Sequence, residues 1–214
     1  MHYKAVIFDL DGVLVFTDKY HYLAWKKLAD KLGIEFSEHD NDRLRGVSRE
    51  ESLDIILEKY HGEPISADKR KEYLEEKNDT YRESLGGMTP EDVSDEVRRT
   101  LLELSQMGYR LAIGSSSKNT AYILERTQLT HAFDAVADGT MITRSKPDPE
   151  VFLKAAELLG ENPSDCLVVE DADAGITAAH AAGMDAAAIG AAAGSGRADY
   201  NLERFGDLRK VLGE

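Results

Sequence analysis

The chain has 214 residues, of which 42% are apolar, and it carries a formal net charge of −14 at pH 7. This length allows one large domain or a core domain with an insertion, the apolar share excludes global disorder, and the charge argues against nucleic acid or a membrane surface as the main partner. The single cysteine, Cys166, cannot form an internal disulfide, and neither a signal peptide nor a membrane-spanning apolar run is evident, so we expect a cytoplasmic protein.

The first predicted element is a short apolar run, residues 5–8, followed by two aspartates one residue apart. The run is rich in β-branched and aromatic residues and predicts a strand buried on both faces of a parallel sheet. Asp9 then lies at the carboxyl end of that strand, where open α/β sheets bind their ligands. Because Asp9 and Asp11 would repel each other without a cation or a shared proton, they favour a divalent metal site with a nucleophilic or acid–base aspartate. A solvated turn that ends at Gly12 is the alternative.

The next part of the chain, up to residue 85, has helical patterns and no convincing strand. The helical patterns cover residues 19–32, a segment opened by a Ser48–Glu51 capping box, and residues 67–85. His21 and Trp25 share a face of the first of these helices, because they are four residues apart. This all-helical stretch predicts a small domain inserted after the first strand.

From residue 90 onward, strand and helix patterns alternate. Buried strands are predicted over residues 109–114, 133–137, 166–169 and 185–189. Helices are predicted over residues 95–107, from the 115–119 loop to residue 129, over 149–159 and over 174–182. This alternation predicts an α/β fold with a doubly wound, Rossmann-like parallel sheet and helices on both faces. We therefore expect a core of residues 1–15 and 90–214, and a small α-helical cap of residues 16–89.

Four groups of polar residues are predicted to meet at one edge of this sheet, because the carboxyl ends of parallel strands share an edge. They are Asp9 with Asp11, the loop 115–119, Lys146, and Glu170 with Asp171. The carboxylates are oxygen ligands, which suit Mg²⁺ rather than Zn²⁺. A hydroxyl-rich loop that opens a helix can cradle a phosphate, although it is also typical of a plain loop, and a lysine can neutralise a phosphoryl oxygen. Together these groups predict a phosphoryl-transfer site.

The same residues form a known pattern of motifs. The chain resembles the haloacid dehalogenase superfamily in Phe8-Asp9-Leu10-Asp11-Gly12-Val13, in the hydroxyl that ends the second strand, in Ser145-Lys146-Pro147 and in Glu170-Asp171. Within that superfamily it is similar to the β-phosphoglucomutase family. This second resemblance is carried by Tyr20-His21 with Trp25, by residues 45–53, by Lys77-Asn78-Asp79 and by residues 115–119.

The resemblance implies a role for each polar residue of the sheet edge. Asp9 would attack the phosphoryl group and become an aspartyl phosphate, and Asp11 would act as general acid and base for the sugar oxygen. The ligands implied for Mg²⁺ are Asp9, the backbone carbonyl of Asp11, Glu170 and Asp171. The groups implied to hold the transferring phosphate are Ser115, the Ser116 N–H and Lys146.

The resemblance also implies that the inserted domain supplies the remaining contacts. Arg49 would bind a second, non-transferring phosphate, and His21 would position Asp11 or couple cap closure to acid–base catalysis. The other residues implied in substrate binding are Thr17, Trp25, Gly46, Val47, Ser48, Ser52, Lys77, Ser116, Ser117, Lys118 and Asn119. Plainer alternatives remain open for three of these positions. They are a surface ion pair of Arg49 with Glu50 or Glu51, a place in the apolar core for Trp25, and no functional role for His21.

The activity implied by the resemblance is the interconversion of β-D-glucose 1-phosphate and glucose 6-phosphate through a β-glucose 1,6-bisphosphate intermediate. Such a mutase needs a closed cap that keeps water away from its phosphoenzyme. A Mg²⁺-dependent sugar-phosphate phosphatase on the same scaffold is the main alternative, and an acidic binding module without activity is a third. For either enzyme we expect a small sugar phosphate as the partner and a monomer as the assembly.

Overall fold

The computed structural model describes residues 3–44 and 47–213, and it contains a six-stranded sheet in which every strand pairing is parallel. The strands are β1 (Ala5–Phe8), β2 (Arg110–Gly114), β3 (Ala135–Ala137), β4 (Cys166–Glu170), β5 (Asp185–Ala188) and β6 (Tyr200–Asn201). Their spatial order is β3-β2-β1-β4-β5-β6. The chain thus runs outward from β1 in one direction and from β4 in the other. This reversal leaves a crevice at the carboxyl ends of β1 and β4, where doubly wound sheets bind ligands.

The side chains of β1 explain why the sheet is covered on both faces. All four are buried; Val6 and Phe8 belong to one apolar cluster, and Ala5 and Ile7 belong to another. Because successive side chains of a strand point to opposite faces, a continuous apolar run needs helices on both. These helices are α5 (Asp95–Gln106), α6 (Thr120–Arg126), α7 (Glu150–Leu159), α8 (Asp173–Ala181) and α9 (Leu208–Leu212), which follow the insertion described below. The predicted doubly wound α/β fold is confirmed.

Two differences from the predicted elements have clear physical reasons. The helix predicted to reach residue 129 ends at Arg126, because Gln128 adopts a left-handed conformation with φ of 57° and the Leu129 N–H turns back to the Leu124 carbonyl at 2.8 Å. The two-residue strand β6 and the five-residue helix α9 were not predicted, because elements of this length show no periodic pattern. Within the described residues, no helix is both long and apolar enough to cross a membrane.

The segment between β1 and α5 is a helical insertion with an apolar cluster of its own. Its helices are α1 (Asp18–Lys31), α2 (Glu38–Asp42), α3 (Arg49–Leu57) and α4 (Ala67–Leu85). The buried side chains of its cluster include Trp25, Leu28, Leu53 and Ile56. The predicted capping box is confirmed: the Ser48 hydroxyl accepts a hydrogen bond from the Glu51 N–H at 3.1 Å, and the Glu51 carboxylate accepts one from the Ser48 N–H at 3.0 Å. The predicted α-helical cap is therefore present as this insertion.

The insertion is also anchored on the sheet. Tyr81 and Leu85, in the last turns of α4, are buried in the same apolar cluster as Val6 and Phe8 of β1. One end of α4 thus packs with the core, while its earlier residue Tyr73 packs in the cluster of the insertion. The division of the chain at residues 15/16 and 89/90 stays a prediction.

Candidate active site

A cavity of about 810 Å³ lies between the carboxyl edge of the sheet and the helical insertion. Its lining includes most of the predicted site residues: Asp9, Asp11, His21, Trp25, Val47, Ser48, Arg49, Ser52, Lys77, Ser115, Ser116, Ser117, Lys118, Asn119, Lys146, Glu170 and Asp171. Thr17 is fully buried and contacts Asp11. Gly46 lies outside the described residues. The structure therefore brings residues from distant parts of the sequence to one cavity.

A cluster of three carboxylates and one lysine forms the floor of the cavity. Phe8 pairs with Val169 in the sheet, so the residues that follow them, Asp9 and Glu170, are neighbours across the ladder. Carboxylate oxygens of Asp9, Glu170 and Asp171 all lie within 4.8 Å of one another. The Lys146 ammonium is buried and donates hydrogen bonds of 2.5 Å to Asp9 Oδ1 and 2.5 Å to Glu170 Oε1. A set of oxygen ligands at this spacing fits a hard divalent cation such as Mg²⁺.

The electrostatics of this cluster also favour a cation. Burial, followed by the charge of Asp9, raises the pKa of Glu170 to about 7, and Lys146 opposes that rise. Burial and the charges of Asp9 and Glu170 raise the pKa of Asp171 to about 8. Burial disfavours the charged form of Lys146, but Asp9 and Glu170 outweigh it and hold the lysine's pKa above its ordinary value. A divalent cation would supply the positive charge that these crowded carboxylates lack.

Two glycines allow the carboxylates to approach the backbone. Gly12 has φ of +87°, and a Cβ atom at this position would lie 2.1 Å from Asp171 Oδ2. At Gly175, near the start of α8, a Cβ atom would lie 1.9 Å from the Glu170 carboxylate. Both glycines therefore make room for the acidic cluster, because a methyl group at either one would displace a carboxylate that is a predicted metal ligand. Gly12 belongs to the sequence motif that contains Asp9 and Asp11, whereas Gly175 has no periodic or capping signal in the sequence.

Asp11 lies beside this floor and is held by the start of the insertion. The Thr17 hydroxyl donates a hydrogen bond to Asp11 Oδ1, although Thr17 is the N-cap of α1 and makes no side-chain bond to that helix. Removal from water, followed by the charge of Asp9, raises the pKa of Asp11 to about 7. A carboxyl group with a pKa near neutrality can both accept and donate a proton at the pH of a cell. The implied metal contact of the Asp11 backbone carbonyl stays a prediction.

The loop after β2 is braced by its own hydroxyl groups. Ser115 Oγ accepts a hydrogen bond from the Ser117 N–H at 3.1 Å, and Ser117 Oγ accepts one from the Asn119 N–H at 3.2 Å. A Cβ atom at Gly139 would lie 2.3 Å from the Ser116 carbonyl oxygen, so the loop packs closely against the end of β3. Ser116 Oγ is buried and has no hydrogen-bond partner among the described residues. The loop thus lines the cavity with a braced backbone, and it contains one buried hydroxyl without a partner among the described residues.

A buried lysine faces the floor from the insertion. Lys77 is 3% exposed, and its ammonium lies 3.0 Å from His21 Nδ1, 4.7 Å from the centre of the Trp25 ring and 4.6 Å from the centre of the Tyr81 ring. The His21 and Tyr81 rings stack at 4.0 Å. Burial and the charge of Arg49 lower the pKa of Lys77 to about 7, and burial and Lys77 lower the pKa of His21. Trp25 therefore serves both the apolar cluster of the insertion and the wall of the cavity.

Arg49, the first residue of α3, contributes a second cation to the wall of the insertion. The two acids beside it have other partners: Glu50 lies 3.6 Å from the Lys118 ammonium, and Glu51 closes the capping box with Ser48. Within ranges 3–44 and 47–213, no carboxylate forms an ion pair within 4 Å of Arg49, although the charges of Glu50 and Asp79 act on it from a longer distance. Burial lowers the pKa of Arg49. Its guanidinium is therefore available to an anionic ligand.

The serines of this wall have local partners, and two further residues are additions to the predicted set. The Ser52 hydroxyl donates to the Ser48 carbonyl at 2.8 Å, so both serines stabilise the start of α3. Asn78 accepts a hydrogen bond from Asn119 at 3.0 Å and so joins the insertion to the loop after β2. Asn41 lines the cavity, and its buried Oδ1 has no partner among the described residues. The Lys77-Asn78-Asp79 motif had signalled Asn78, whereas Asn41 has no comparable signal in the sequence.

Residues 3–183 match the family model described as haloacid dehalogenase-like hydrolase. The chain belongs to this family. It is 41% identical to the β-phosphoglucomutase of Bacillus subtilis, over 98% of this chain and 93% of that protein. It is 30% identical to a phosphorylated carbohydrates phosphatase of Thermotoga maritima, over 85% of this chain and 82% of that protein. The crystal structure of a β-phosphoglucomutase from Clostridium difficile superimposes with a TM-score of 0.91 at 34% identity, covering 98% of this chain and 96% of that chain.

Membership in this family makes the chain an enzyme of the phosphotransferase and hydrolase type. Enzymes of the family are in general dependent on Mg²⁺, and the cluster of Asp9, Glu170 and Asp171 fits such an ion. The predicted resemblance is therefore confirmed at the level of the family and its sugar-phosphate members. Because the family includes both mutases and phosphatases, the reaction itself is a separate question.

Proposed function

We propose that the protein is a β-phosphoglucomutase, which interconverts β-D-glucose 1-phosphate and glucose 6-phosphate. One observation carries this proposal: the same cavity is lined by a cationic group from each part of the protein, Lys146 in the floor on the sheet and Arg49 in the wall of the insertion. A bisphosphate intermediate needs two anion sites, whereas a phosphatase needs only one. The identity of 41% to the mutase from Bacillus subtilis supports the same proposal.

In the proposed function, residues at the edge of the sheet perform the chemistry, and the insertion closes the cavity. Residues 1–15 and 90–214 would form the catalytic core, and residues 16–89 would form the cap. The apolar cluster that belongs to the insertion alone supports this division, although Tyr81 and Leu85 of α4 pack in the cluster of the sheet. The chain has a net charge of −14, so the local cations must overcome an unfavourable overall field to attract a sugar phosphate. Lys146 and Arg49, which line the cavity, are placed to do so.

In the proposed reaction, Asp9 is the nucleophile. Its carboxylate attacks phosphorus, the bond between phosphorus and the sugar oxygen breaks, and the electron pair goes to that oxygen. Lys146, together with Ser115 and the Ser116 N–H, would hold the phosphoryl oxygens. A magnesium ion held by Asp9, Glu170, Asp171 and the Asp11 carbonyl would neutralise charge on the transferring group.

Asp11 is the proposed general acid and base. In the first transfer it takes the proton from the C6 hydroxyl of β-glucose 1-phosphate, which receives the phosphoryl group from the aspartyl phosphate. After the bisphosphate reorients, Asp9 takes the phosphoryl group from C1, and Asp11 returns the proton to the C1 oxygen. The pKa of Asp11, raised to about 7 by burial and by Asp9, supports proton transfer in both directions.

The remaining predicted residues would hold the sugar and its distal phosphate. Arg49 would bind the phosphate that is not being transferred, with help from Lys118 and Asn119. His21 and Lys77 would act from the insertion, where their mutual contact of 3.0 Å fixes the orientation of the imidazole ring. The other residues proposed to line the sugar site are Thr17, Trp25, Gly46, Val47, Ser48, Ser52 and Ser117.

The test is an assay that measures both possible products. The protein is incubated with β-D-glucose 1-phosphate, Mg²⁺ and a catalytic amount of β-glucose 1,6-bisphosphate, and glucose 6-phosphate and inorganic phosphate are quantified in parallel. We expect glucose 6-phosphate to be the main product, and the α anomer of the substrate serves as the control. Release of inorganic phosphate without glucose 6-phosphate would contradict the mutase and favour the sugar-phosphate phosphatase.

A further inference from the structure

Asn119 stands at the N-cap of α6 but does not cap that helix. Asparagine is among the preferred N-cap residues because its side-chain oxygen can accept a hydrogen bond from the first turn of the helix. Here the side chain makes no bond to the helix. Its Nδ2 instead donates to Asn78 Oδ1 at 3.0 Å. The amide of Asn119 thus joins α4 of the insertion to the loop after β2.

The hydrogen bond between Asn119 and Asn78 is largely shielded from solvent, unlike a surface contact. Asn119 is 4% exposed, and Asn78 is half-buried on α4. A second contact between the insertion and this loop, Glu50 of α3 with Lys118, has a longer distance of 3.6 Å, and its side chains are 58% and 52% exposed. Exposed ion pairs contribute little because water and salt screen them. The Asn78–Asn119 bond is therefore the stronger of these two connections.

Asn78 lies between the Lys77–His21 contact in the insertion and the hydrogen-bonded serines of the loop after β2. On α4 it directly follows Lys77, whose ammonium contacts His21 on α1. On the sheet side, the Asn119 N–H bonds to Ser117 Oγ, and the Ser117 N–H bonds to Ser115 Oγ. A chain of short contacts thus leads from the insertion to the loop that faces the transferring phosphate. Displacement of α4 would loosen both the lysine and this loop.

We propose that Asn78 is a positioning residue that holds the insertion against the 115–119 loop and thereby protects the phosphoenzyme from water. This inference rests on the proposed mutase function. The aspartyl phosphate has two acceptors: a sugar hydroxyl gives the bisphosphate, whereas a water oxygen attacks phosphorus, breaks its bond to Asp9 and releases inorganic phosphate. Asn78 touches neither acceptor. It determines how long the cavity stays closed, and hence the ratio of the two products.

The test compares two substitutions on the same helix. Asn78→Ala removes the acceptor of the bond, and Glu75→Ala changes an exposed residue that precedes it on α4. Each variant is assayed with β-D-glucose 1-phosphate, Mg²⁺ and catalytic bisphosphate, and the ratio of inorganic phosphate to glucose 6-phosphate is measured. Since a hydrogen bond typically contributes a factor of a few to ten, we expect Asn78→Ala to raise this ratio about three- to tenfold. The ratio for Glu75→Ala should equal that of the wild type.

A second measurement separates positioning from a general loss of stability. If Asn78 acts through Asn119, then Asn78→Ala should change the product ratio no further in an Asn119→Ala background. Melting temperatures are recorded for all variants, because a merely structural effect would lower them without changing the ratio. An unchanged ratio in Asn78→Ala, or a full additional effect in the Asn119→Ala background, would overturn the inference. A wild type that releases only inorganic phosphate would instead overturn the proposed mutase and this inference with it, so the two failures are distinguishable.

Discussion

The hydroxyl of Thr17 donates a hydrogen bond to Asp11, and although Thr17 stands at the N-cap of α1, its side chain makes no bond to that helix. Asn119, at the N-cap of α6, likewise makes no side-chain bond to its helix, and its amide donates a hydrogen bond to Asn78. Thr17 lies where the chain passes from the sheet into the insertion, and Asn119 lines the cavity between these two parts. Polar side chains at helix starts that bond to distant residues and not to their own helix are typical of functional sites. They identify Thr17 and Asn119 as residues whose side chains serve the site rather than their own helices.

Asp9→Asn should remove activity without weakening the fold. We expect turnover to fall by at least about 10³-fold, because an amide cannot accept the phosphoryl group. The charge of Asp9 contributes to the raised pKa values of Glu170 and Asp171, so its removal relieves repulsion in the floor. The melting temperature in the presence of a chelator should therefore equal or exceed that of the wild type. Glucose 6-phosphate formation and thermal unfolding are the two measurements.

A control for this prediction is Glu75→Gln, which removes one negative charge from the exposed surface of α4. It should leave both activity and melting temperature unchanged. Turnover of Asp9→Asn within tenfold of the wild type would contradict the assignment of Asp9 as nucleophile.

Gly12→Ala should weaken Mg²⁺ binding, an effect that backbone strain alone would not produce. A Cβ atom at Gly12 would lie 2.1 Å from Asp171 Oδ2, so the carboxylate must move away. Gly108 has a similar φ of +90° but nothing within 4 Å of its Cβ position, which makes Gly108→Ala the matched control. Both variants should lose about 1–2 kcal/mol of stability from the left-handed backbone. The rise in melting temperature on addition of Mg²⁺ should disappear only in Gly12→Ala, and its persistence there would argue against Asp171 as a ligand.

Arg49→Ala tests the second phosphate site. Hydrogen bonds to charged groups contribute about 1.5–3 kcal/mol, so we expect the KM for β-glucose 1,6-bisphosphate to rise about tenfold to a hundredfold. Phosphorylation of the enzyme by acetyl phosphate, which has a single phosphate, should be unchanged. Arg43→Ala is the control, because Arg43 pairs with Glu58 on the exposed surface of the insertion. Equal KM values for the wild type and Arg49→Ala would show that the distal phosphate binds elsewhere.

Lys77 should make stability depend on pH in a predictable direction. Burial and Arg49 lower its pKa from an ordinary 10.5 to about 7 in the folded protein. Between these two pH values the unfolded chain binds more protons than the folded one, so the free energy of unfolding rises with pH. Below pH 7 the full cost of burying the charge is present, and above 10.5 it is absent. The charged and titratable groups that face Lys77 are Arg49, Asp11, His21 and Tyr81.

Lys77→Met removes this dependence while it keeps apolar contact with the aromatic rings. We expect the variant to be more stable than the wild type at pH 7, by an amount on the order of a few kcal/mol. The difference should shrink as pH approaches 10, which urea unfolding at several pH values would measure. Lys71→Met, at an exposed position of α4, should show a difference that does not change with pH. A flat difference for Lys77→Met would mean that Lys77 is not held in this buried environment.

The predictable parts of the site are those that depend on local pattern. The apolar run before Asp9 and the capping box of Ser48 are signals within a few residues, and both appear in the structure. The meeting of Asp9 with Glu170 followed from the rule that parallel strands share a carboxyl edge. The parts that were missed depend on contacts across long separations. Asn119 and Asn78 are 41 residues apart, and no pattern in either segment indicates that their side chains meet.

Local periodicity and strand-end chemistry were thus sufficient to predict the parallel sheet, the helical insertion and the acidic floor, because burial and sheet geometry constrain them residue by residue. The packing of α4 on β1 and of the insertion against the 115–119 loop had to come from the folded molecule. This packing buries Lys77 beside His21 and brings Asn78 within hydrogen-bond distance of the Asn119 amide. It also leaves Arg49, in the wall of the insertion, without an ion-pair partner among the described carboxylates. These features depend on how the insertion packs against the sheet, and such a fit is a property of three-dimensional packing rather than of sequence spacing.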